Sequence, residues 1–499
     1  MVGTVEGTLD AAALRAWAES AVRALDRHRG ELDELNVFPV ADSDTGTNLY
    51  LTLREGLDTL VRTGAREEEA ARDFARGALV GARGNSGVII SQYLGALLRS
   101  LPPGAVAPEE LAAGLRTATT AAYGAVADPV EGTVLTVARA VGDGATEALR
   151  PGVSTSAVLD AAVDAGYQAL WQTANQLDAL RVAGVLDAGG WGLLLVLDAL
   201  AEVLHGDPTA VPERPVPAMP AHHVCAADGL LGGEFEVMYV VNGDRVPDAE
   251  RLAPALQHGL TQVGDSVAVV GGDGLWQAHV HTDTPLRAVA VAAEAGTRAT
   301  QIRVRHIASQ SGVHGVHRPT LGLVTVTGAP ALTADLARAG AVVVLVPAGD
   351  VAGPELERAV DDTGAATVLL LAAEGLVRSP VARDVRSVAD LSEAQVVSGA
   401  ATLASLDPDQ GADALADAVL AAVESVRTAD VGPGVQADDA AALARGLLAQ
   451  PCSLLTVLPS ADAPQDVVEA VVAAATGIGV EAVVLPTGMP GAGTVLGAE

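Results

Sequence analysis

Leu35-Asn-Val-Phe-Pro-Val-Ala-Asp-Ser-Asp-Thr-Gly-Thr-Asn-Leu49 is the stretch from which the rest of the chain can be read. Apolar residues at helical spacing precede it, and Leu49-Tyr-Leu-Thr-Leu continues as a second helix. Pro39 and Gly46 break the backbone between the two, and Asp42 and Asp44 stand two residues apart within the break. Two carboxylates on one turn can converge on a hard cation such as Mg²⁺, which takes oxygen ligands and leaves coordination positions for phosphates. Thr45, Gly46, Thr47 and Asn48 then offer backbone N–H groups and short polar side chains at a helix start, where anions are favoured. The pattern reads as a metal–nucleotide loop; an Asx-rich helix cap is the alternative.

Working outward, residues 1–205 carry further helical patterns from about 49–62, 68–79, 87–99, 108–125, 133–147, 156–178 and 191–204. The first helix spans Leu9–His28, with Leu14, Trp17, Val22 and Leu25 on one face. Period-two β-branched runs are absent, so an all-helical domain is expected. Its breaks carry the chemistry. Gly81-Ala-Arg-Gly-Asn-Ser-Gly87 is a flexible turn with N–H groups suited to phosphate or ribose, where Arg83 adds a cation and Ser86 a hydroxyl. Glu131-Gly-Thr133 either lines a site or is a solvated glutamate beside a threonine cap, and Asp187-Ala-Gly-Gly-Trp-Gly192 either meets a ribose or caps a helix.

The remainder changes character. Proline punctuates a linker placed at 206–221, and Glu234–Val241, Ser266–Val270 and Leu275–His281 read as strands among helices at 252–260 and 285–294. A small α+β domain is therefore expected over 222–318. His279 and His281 leave the same face of a strand and need one or two further ligands to hold zinc. His222, His223 and Cys225 also resemble ligands on paper. From 319 to 499, apolar runs such as Leu321–Val326 and Gly340–Val346 alternate with helical segments, which predicts a C-terminal α/β domain.

Composition bounds the function. A chain of 499 residues is long enough for about three domains. Its net charge of −32 argues against nucleic acid or an anionic membrane as partner. There is no lysine, so arginine supplies every basic side chain apart from histidine. Cys225 and Cys452 lie too far apart to suggest a disulfide framework, and neither a leader nor a transmembrane run is evident. A cytoplasmic protein is the expectation.

Asn36–Asn48, Gly81–Gly87, Glu131–Thr133 and Val185–Gly190 together resemble, in order and spacing, the motifs of the DAK2 (DhaL-type) domain. That domain is similar to the L subunit of dihydroxyacetone kinase, an eight-helix barrel whose loops hold ATP with Mg²⁺. The first two motifs most resemble the ATP-binding subunit of bacterial fatty acid kinase. The resemblance implies Mg²⁺ on Asp42 and Asp44, and phosphates cradled by Thr45, Gly46, Thr47 and Asn48. It also implies nucleotide contacts from Ser86, Gly87, Gly132, Thr133, Asp187 and Gly189. Where dihydroxyacetone kinase has a further aspartate this chain has Asn36, the candidate third ligand, and Ser43 replaces a usual glycine.

In the middle domain, Ala278–Pro285 resembles a segment whose two histidines act with a cysteine; here Glu236 stands near the cysteine position, implying a His₂Glu zinc site. Val344–Gly349 and Leu370–Glu374 replace Gly-Gly-Gln and Asn-Asn patches frequent in that family. The function so implied is transfer of the ATP γ-phosphate to a fatty acid presented by an acyl-binding protein, docked on the middle and C-terminal parts. A dihydroxyacetone-type kinase and a nucleotide-responsive scaffold are the alternatives, and a homodimer is compatible with any of them. The sequence shows no apolar tunnel or covalent anchor for an acceptor.

Overall fold

The computed structural model describes residues 7–64, 67–207, 233–243, 251–309, 319–378, 385–491 and 493–499. His222, His223, Cys225 and all of the expected linker after Asp207 lie outside them.

The N-terminal part is helix-rich. A two-stranded ribbon, β1 (Thr8–Leu9) with β2 (Gly104–Ala105), ties its start to the middle of α1 (Ala11–Glu34), α2 (Thr45–Thr63), α3 (Glu67–Val80), α4 (Gly84–Ser100), α5 (Pro108–Ala125), α6 (Val134–Glu147), α7 (Thr155–Gln176), α8 (Asp178–Ala183) and α9 (Ala188–Leu204). Asp10 caps α1 by accepting from the Ala13 N–H at 2.7 Å. Leu14, Trp17, Ala21, Leu25 and Leu32 bury one stripe of that helix, whereas Val22 is only half-buried. α9 is apolar nearly all round and almost wholly buried, so the other helices pack about it. Helix α1 runs six residues past the expected His28, and this extension carries Asp33 to the central break. α2, α4 and α9 each begin before the expected positions, because the motif residues form their first turns.

β3 (Phe235–Asn242), β4 (Asp265–Gly272), β5 (Leu275–Thr282) and β6 (Ala299–His306) form an antiparallel set, with α10 (Leu252–Leu260) and α11 (Pro285–Glu294) on one face. This is the small α+β middle region. Its sheet does not end at the expected boundary between 318 and 319. β6 pairs antiparallel with β8 (Ala341–Leu345), which continues through the parallel strands β7 (Gly322–Thr327), β9 (Val368–Ala373) and β10 (Arg386–Leu391). One eight-stranded sheet in the order β10-β9-β7-β8-β6-β3-β5-β4 therefore joins the two regions. Backbone groups on β6 would otherwise be left at an open edge, and β8 satisfies them.

Crossing helices α12 (Thr333–Arg338) and α13 (Gly353–Asp362) cover the parallel strands, of which β7, β8 and β9 are buried on both faces while the edge strand β10 is largely exposed. After α14 (Glu393–Ser405) and α15 (Ala412–Ser425) comes a separate four-stranded sheet. It consists of β11 (Arg427–Val431), β12 (Leu454–Pro459), β13 (Glu481–Val484) and β14 (Thr494–Ala498), packed with α16 (Ala437–Leu447) and α17 (Gln465–Thr476).

The antiparallel half of the large sheet lies against the N-terminal helices. Ala82, Val88 and Ala125 pack with Met238, Ala268 and Val270. Gln277 donates from Nε2 to the Ala82 carbonyl at 3.0 Å, and Gln92 Oε1 accepts from the Gly271 N–H at 3.1 Å. The break at 36–48 and the glycine turn at 81–87 thus face a sheet.

Candidate functional site

The site is assembled from helix starts. Asp44 occupies the N-cap position of α2, yet its side chain makes no capping hydrogen bond. Its carboxylate therefore satisfies none of the helix's backbone N–H groups, although the Asn48 side chain of the same helix hydrogen-bonds to it, and this separates the turn from a simple cap. Asp42 beside it is half-buried among like charges; desolvation first and the Asp44 carboxylate second push its pKa well above the usual range. Asp44 is also raised by burial, although Arg305 opposes the shift. Half-buried carboxylates with so little compensation are the donor set that a divalent cation would satisfy.

Asn36 turns its side-chain nitrogen to Asp42 and donates to Oδ1. In this arrangement it orients Asp42 rather than presenting an oxygen as a third ligand. The further carboxylate is Asp33, which accepts from the Thr47 N–H at 2.9 Å and the Thr47 hydroxyl at 2.8 Å, and burial pushes its pKa up to about 6. Sequence reasoning misses Asp33, because it falls between the expected end of the first helix at His28 and the motif that begins at Leu35, where it carries no pattern of its own. Its one signal is position, three residues before Asn36.

Ser43 adopts φ 55°, in the left-handed region. The turn thus demands the conformation that the usual glycine supplies freely, at a cost of about 1–2 kcal/mol for an L-residue. Ser43→Gly is expected to stabilise the protein by roughly 0.5–1 kcal/mol after the added chain entropy is subtracted. Urea denaturation checks this; a loss of stability would mean that the serine side chain is held by contacts worth more than the strain.

Two cavities meet at this turn. The smaller, about 310 Å³, is bordered by Asn36, Thr45, Ser86, Thr133, Asp187 and Gly189, with apolar walls that include Phe38, Ile89 and Val134. Thr45 and Ser86 hydroxyls approach to 3.4 Å and link two of the sequence motifs. Thr133 caps α6, and Asp187 caps α9 through the Gly190 N–H at 2.6 Å, so the capping alternative holds for both while they also line the cavity. Burial pushes Asp187 up to about 7. The larger cavity, about 680 Å³, is bordered by Asp33, Asp42, Asp44, Thr47, Asn48, Arg54 and Arg305, and continues past apolar residues such as Leu321 and Leu406.

Other candidates from the sequence line neither cavity. A Cβ on Gly46 would lie 2.2 Å from the Arg29 carbonyl, so that glycine permits close packing of α2 on α1. Gly87 meets Thr52 in the same way, and Gly132 shapes a turn at φ 83° while donating to Thr136 Oγ1 at 2.8 Å. Arg83 is buried and paired with Asp362 at 2.5 Å, so its charge does not serve a phosphate. Glu131 is solvent-facing and forks to Arg139 at 2.6 and 2.7 Å.

Glu236, His279 and His281 converge beneath the same turn. Their ligand atoms lie within 4.8 Å of one another, and all three side chains are buried. Among the described residues, neither nitrogen of His279 nor Nδ1 of His281 has a hydrogen-bond partner, although Glu236 Oε1 lies 3.4 Å from His279 Nδ1. Burial lowers both histidines, His279 to about 3, which keeps the imidazoles neutral and able to ligate. Orphaned, neutral imidazole nitrogens beside a carboxylate fit a zinc ion. Burial works to raise Glu236, but Arg305 holds it below its ordinary range.

Two family models match separate parts of the chain. The DAK2 domain matches residues 39–202, and the FakA-like middle domain of fatty acid kinase matches 232–313. The Bacillus subtilis protein YloV is 28% identical over 455 residues, covering 85% of this chain and 81% of its own. An uncharacterized Staphylococcus saprophyticus protein is 30% identical over 294 residues; that alignment covers 57% of this chain and about half (52%) of the relative. A crystal structure of dihydroxyacetone kinase from C. freundii in complex with AMP-PNP and Mg²⁺ overlaps 40% of this chain and 36% of that one, at 23% identity and a TM-score of 0.31, too slight a likeness to bear on mechanism. Among the described residues no helix is long and apolar enough to cross a membrane. The chain contains a DAK2 domain and a FakA-like middle domain, and this pair of domains supports ATP-dependent phosphotransfer.

Proposed function

We propose that the smaller cavity holds ATP with its triphosphate directed to the Asp42–Asn48 turn, and that the γ-phosphoryl group passes to an acceptor in the larger cavity. The observation that carries this reading is the convergence of Thr45, Ser86, Thr133, Asp187 and Gly189 on one cavity beside the turn that carries Asp44, whose carboxylate caps no backbone N–H. Asp42 and Asp44 would hold Mg²⁺, which supplies positive charge to the phosphates; Asn36 keeps Asp42 oriented. N–H groups at the start of α4 would face the anion, whereas Gly46 and Thr47 at the start of α2 give theirs to Asp33. The eight long helices, α9 among them, would close as a barrel.

The comparisons favour DAK-type phosphotransfer as a class over any one acceptor, since the DAK2 match is the longer of the two. Within that class we propose a fatty acid carboxylate, delivered by a separate acyl-binding protein that docks on the middle and C-terminal regions. An ionised carboxylate needs no general base. Dihydroxyacetone is the competing acceptor, supported by the same DAK2 match. Labelled ATP with a panel of long-chain fatty acid plus acyl-binding protein, fatty acid alone and dihydroxyacetone decides between them. Acyl phosphate formed only with the partner is the expected result. Partner-independent transfer to dihydroxyacetone would replace the acceptor, and ATP binding without turnover under any condition would leave a nucleotide-responsive scaffold.

We further propose zinc on Glu236, His279 and His281, where it would neutralise the buried carboxylate and hold β3 to β5. Elemental analysis of zinc-replete protein should find about one ion per chain, and His281→Ala should lose it. A metal-free wild type would leave the cluster as a polar packing feature.

A further inference from the structure

Arg305 stands out among the charged groups around the turn, because it comes from the other side of the cleft. On β6, Arg303 and Arg305 alternate onto the sheet face that meets the N-terminal helices, in register with Met238 and Glu236 of β3. Arg305 is 8% exposed and pairs with Glu236 Oε2 through Nε and Nη2. Its Nη2 also lies 3.9 Å from Asp44 Oδ2, and the side chain borders the larger cavity together with Asp42, Asp44 and Thr47.

We propose that Arg305 is a catalytic residue that contacts the phosphoryl group during its transfer. This rests on the phosphotransfer reading above. The interactions Arg305 makes within the described residues run through Nε and Nη2, whereas a guanidinium carries five N–H donors in a fixed fork. Glu236 anchors the near side of that fork on a strand, so the rest is aimed into the cleft with little rotamer freedom left to lose. In the ligand-free protein the guanidinium offsets part of the charge on Asp44. A cation bound by Asp44 would take over that role and repel the guanidinium, while the triphosphate would bring new negative charge to the same place.

In the transfer, the bond between the γ-phosphorus and the β,γ-bridging oxygen breaks with its electron pair leaving on ADP. A new phosphorus–oxygen bond forms to the acceptor carboxylate, giving ADP and an acyl phosphate with no proton released. Charge on the equatorial oxygens has to be met in that state, and an arginine supplied there is worth about 10³–10⁵ in rate.

The test is binding of full-length protein to Mg·ATP and to Mg·ADP with aluminium fluoride, which imitates the transferring group without requiring a known acceptor. Wild-type protein should bind both. Arg305→Ala should bind Mg·ATP within about threefold of wild type and lose on the order of 10³-fold toward the aluminium fluoride complex. Because Arg305→Ala leaves Glu236 buried without its cation, Arg305→Lys is measured beside it. Lysine keeps the charge but not the fork, and should recover the fold and only part of the aluminium fluoride affinity. Equal losses toward both ligands in Arg305→Lys would overturn the assignment and make Arg305 a structural ion-pair partner. Absence of Mg·ATP binding by the wild type would remove the functional reading itself, and the role of Arg305 with it.

Discussion

Asp42→Asn and Asp44→Ala are expected each to abolish Mg·ATP binding measurable by calorimetry while leaving the helical far-UV signal intact. Outer-shell partners of metal ligands cost about 10–100-fold in affinity, and a charged first ligand should cost more. Both carboxylates are half-buried beside one another and near Glu236, with Arg305 as the cation that opposes them. Removing one charge from such a group relieves repulsion in the ligand-free protein. Asp42→Asn should therefore keep, or raise by a few degrees, the melting temperature in the absence of nucleotide. That combination separates a binding site from a structural one, since a structural carboxylate would lower the melting temperature when replaced. Wild-type affinity for Mg·ATP in both variants would sink the site.

Asp362→Ala is expected to be the most destabilising of the single substitutions. Asp362 sits on the last turn of α13 and receives Arg83 Nε at 2.5 Å and Arg303 Nε at 3.4 Å, with the Arg83 and Asp362 side chains almost fully buried. Removing the carboxylate leaves two guanidinium groups in the interior without their shared anion. Breaking a buried pair in this way costs about 3–5 kcal/mol, which corresponds to a melting-temperature fall of roughly 6–20 °C. Burial works to raise the Asp362 pKa, but Arg303 and Arg83 hold it below its ordinary value. Its folded pKa is thus the depressed one, so its contribution is present above the unfolded value near 4 and is lost as pH falls through the folded value. Thermal melts of wild type and variant should converge in acid. A fall of less than about 2 °C at neutral pH would mean that water or a neighbouring group takes over the carboxylate's role.

This pair also bears on how the nucleotide turn is held. Arg83 directly precedes α4, whose first turn includes Ser86, and its N–H donates to Thr52 of α2 at 3.1 Å. Loosening Asp362 should therefore weaken nucleotide binding as well as stability, although neither Arg83 nor Asp362 borders the smaller cavity.

What the sequence by itself determined was local. The helices of the first two hundred residues follow from apolar periodicity. The Asp42–Asn48 turn, the 81–87 turn and the start of α9 follow from glycines and short polar residues next to those periodic runs, within a few positions of each other. The likeness of the motifs to the DAK2 domain followed from their order. His279 and His281 were placed on one strand face by alternation alone, and Glu236 beside them by analogy with a cysteine position.

Tertiary structure decided the rest, because strand pairing and domain packing join positions that share no local pattern. Arg83 looked like a phosphate-binding cation until Asp362, 279 residues further on, was placed against it. Arg305 belongs to the turn only because β6 pairs with β3 and the whole sheet lies on the helices. No strand is read from the sequence at 299–306, and nothing in the chain said which carboxylates Arg305 would meet. Asp33 entered because α1 continues to Glu34, one further turn of helix deciding whether a carboxylate faces solvent or the site. The sheet crosses the boundary drawn at residue 318 for the same reason: hydrogen-bonding edges are satisfied by whichever strand reaches them in space, and here β8 reached β6.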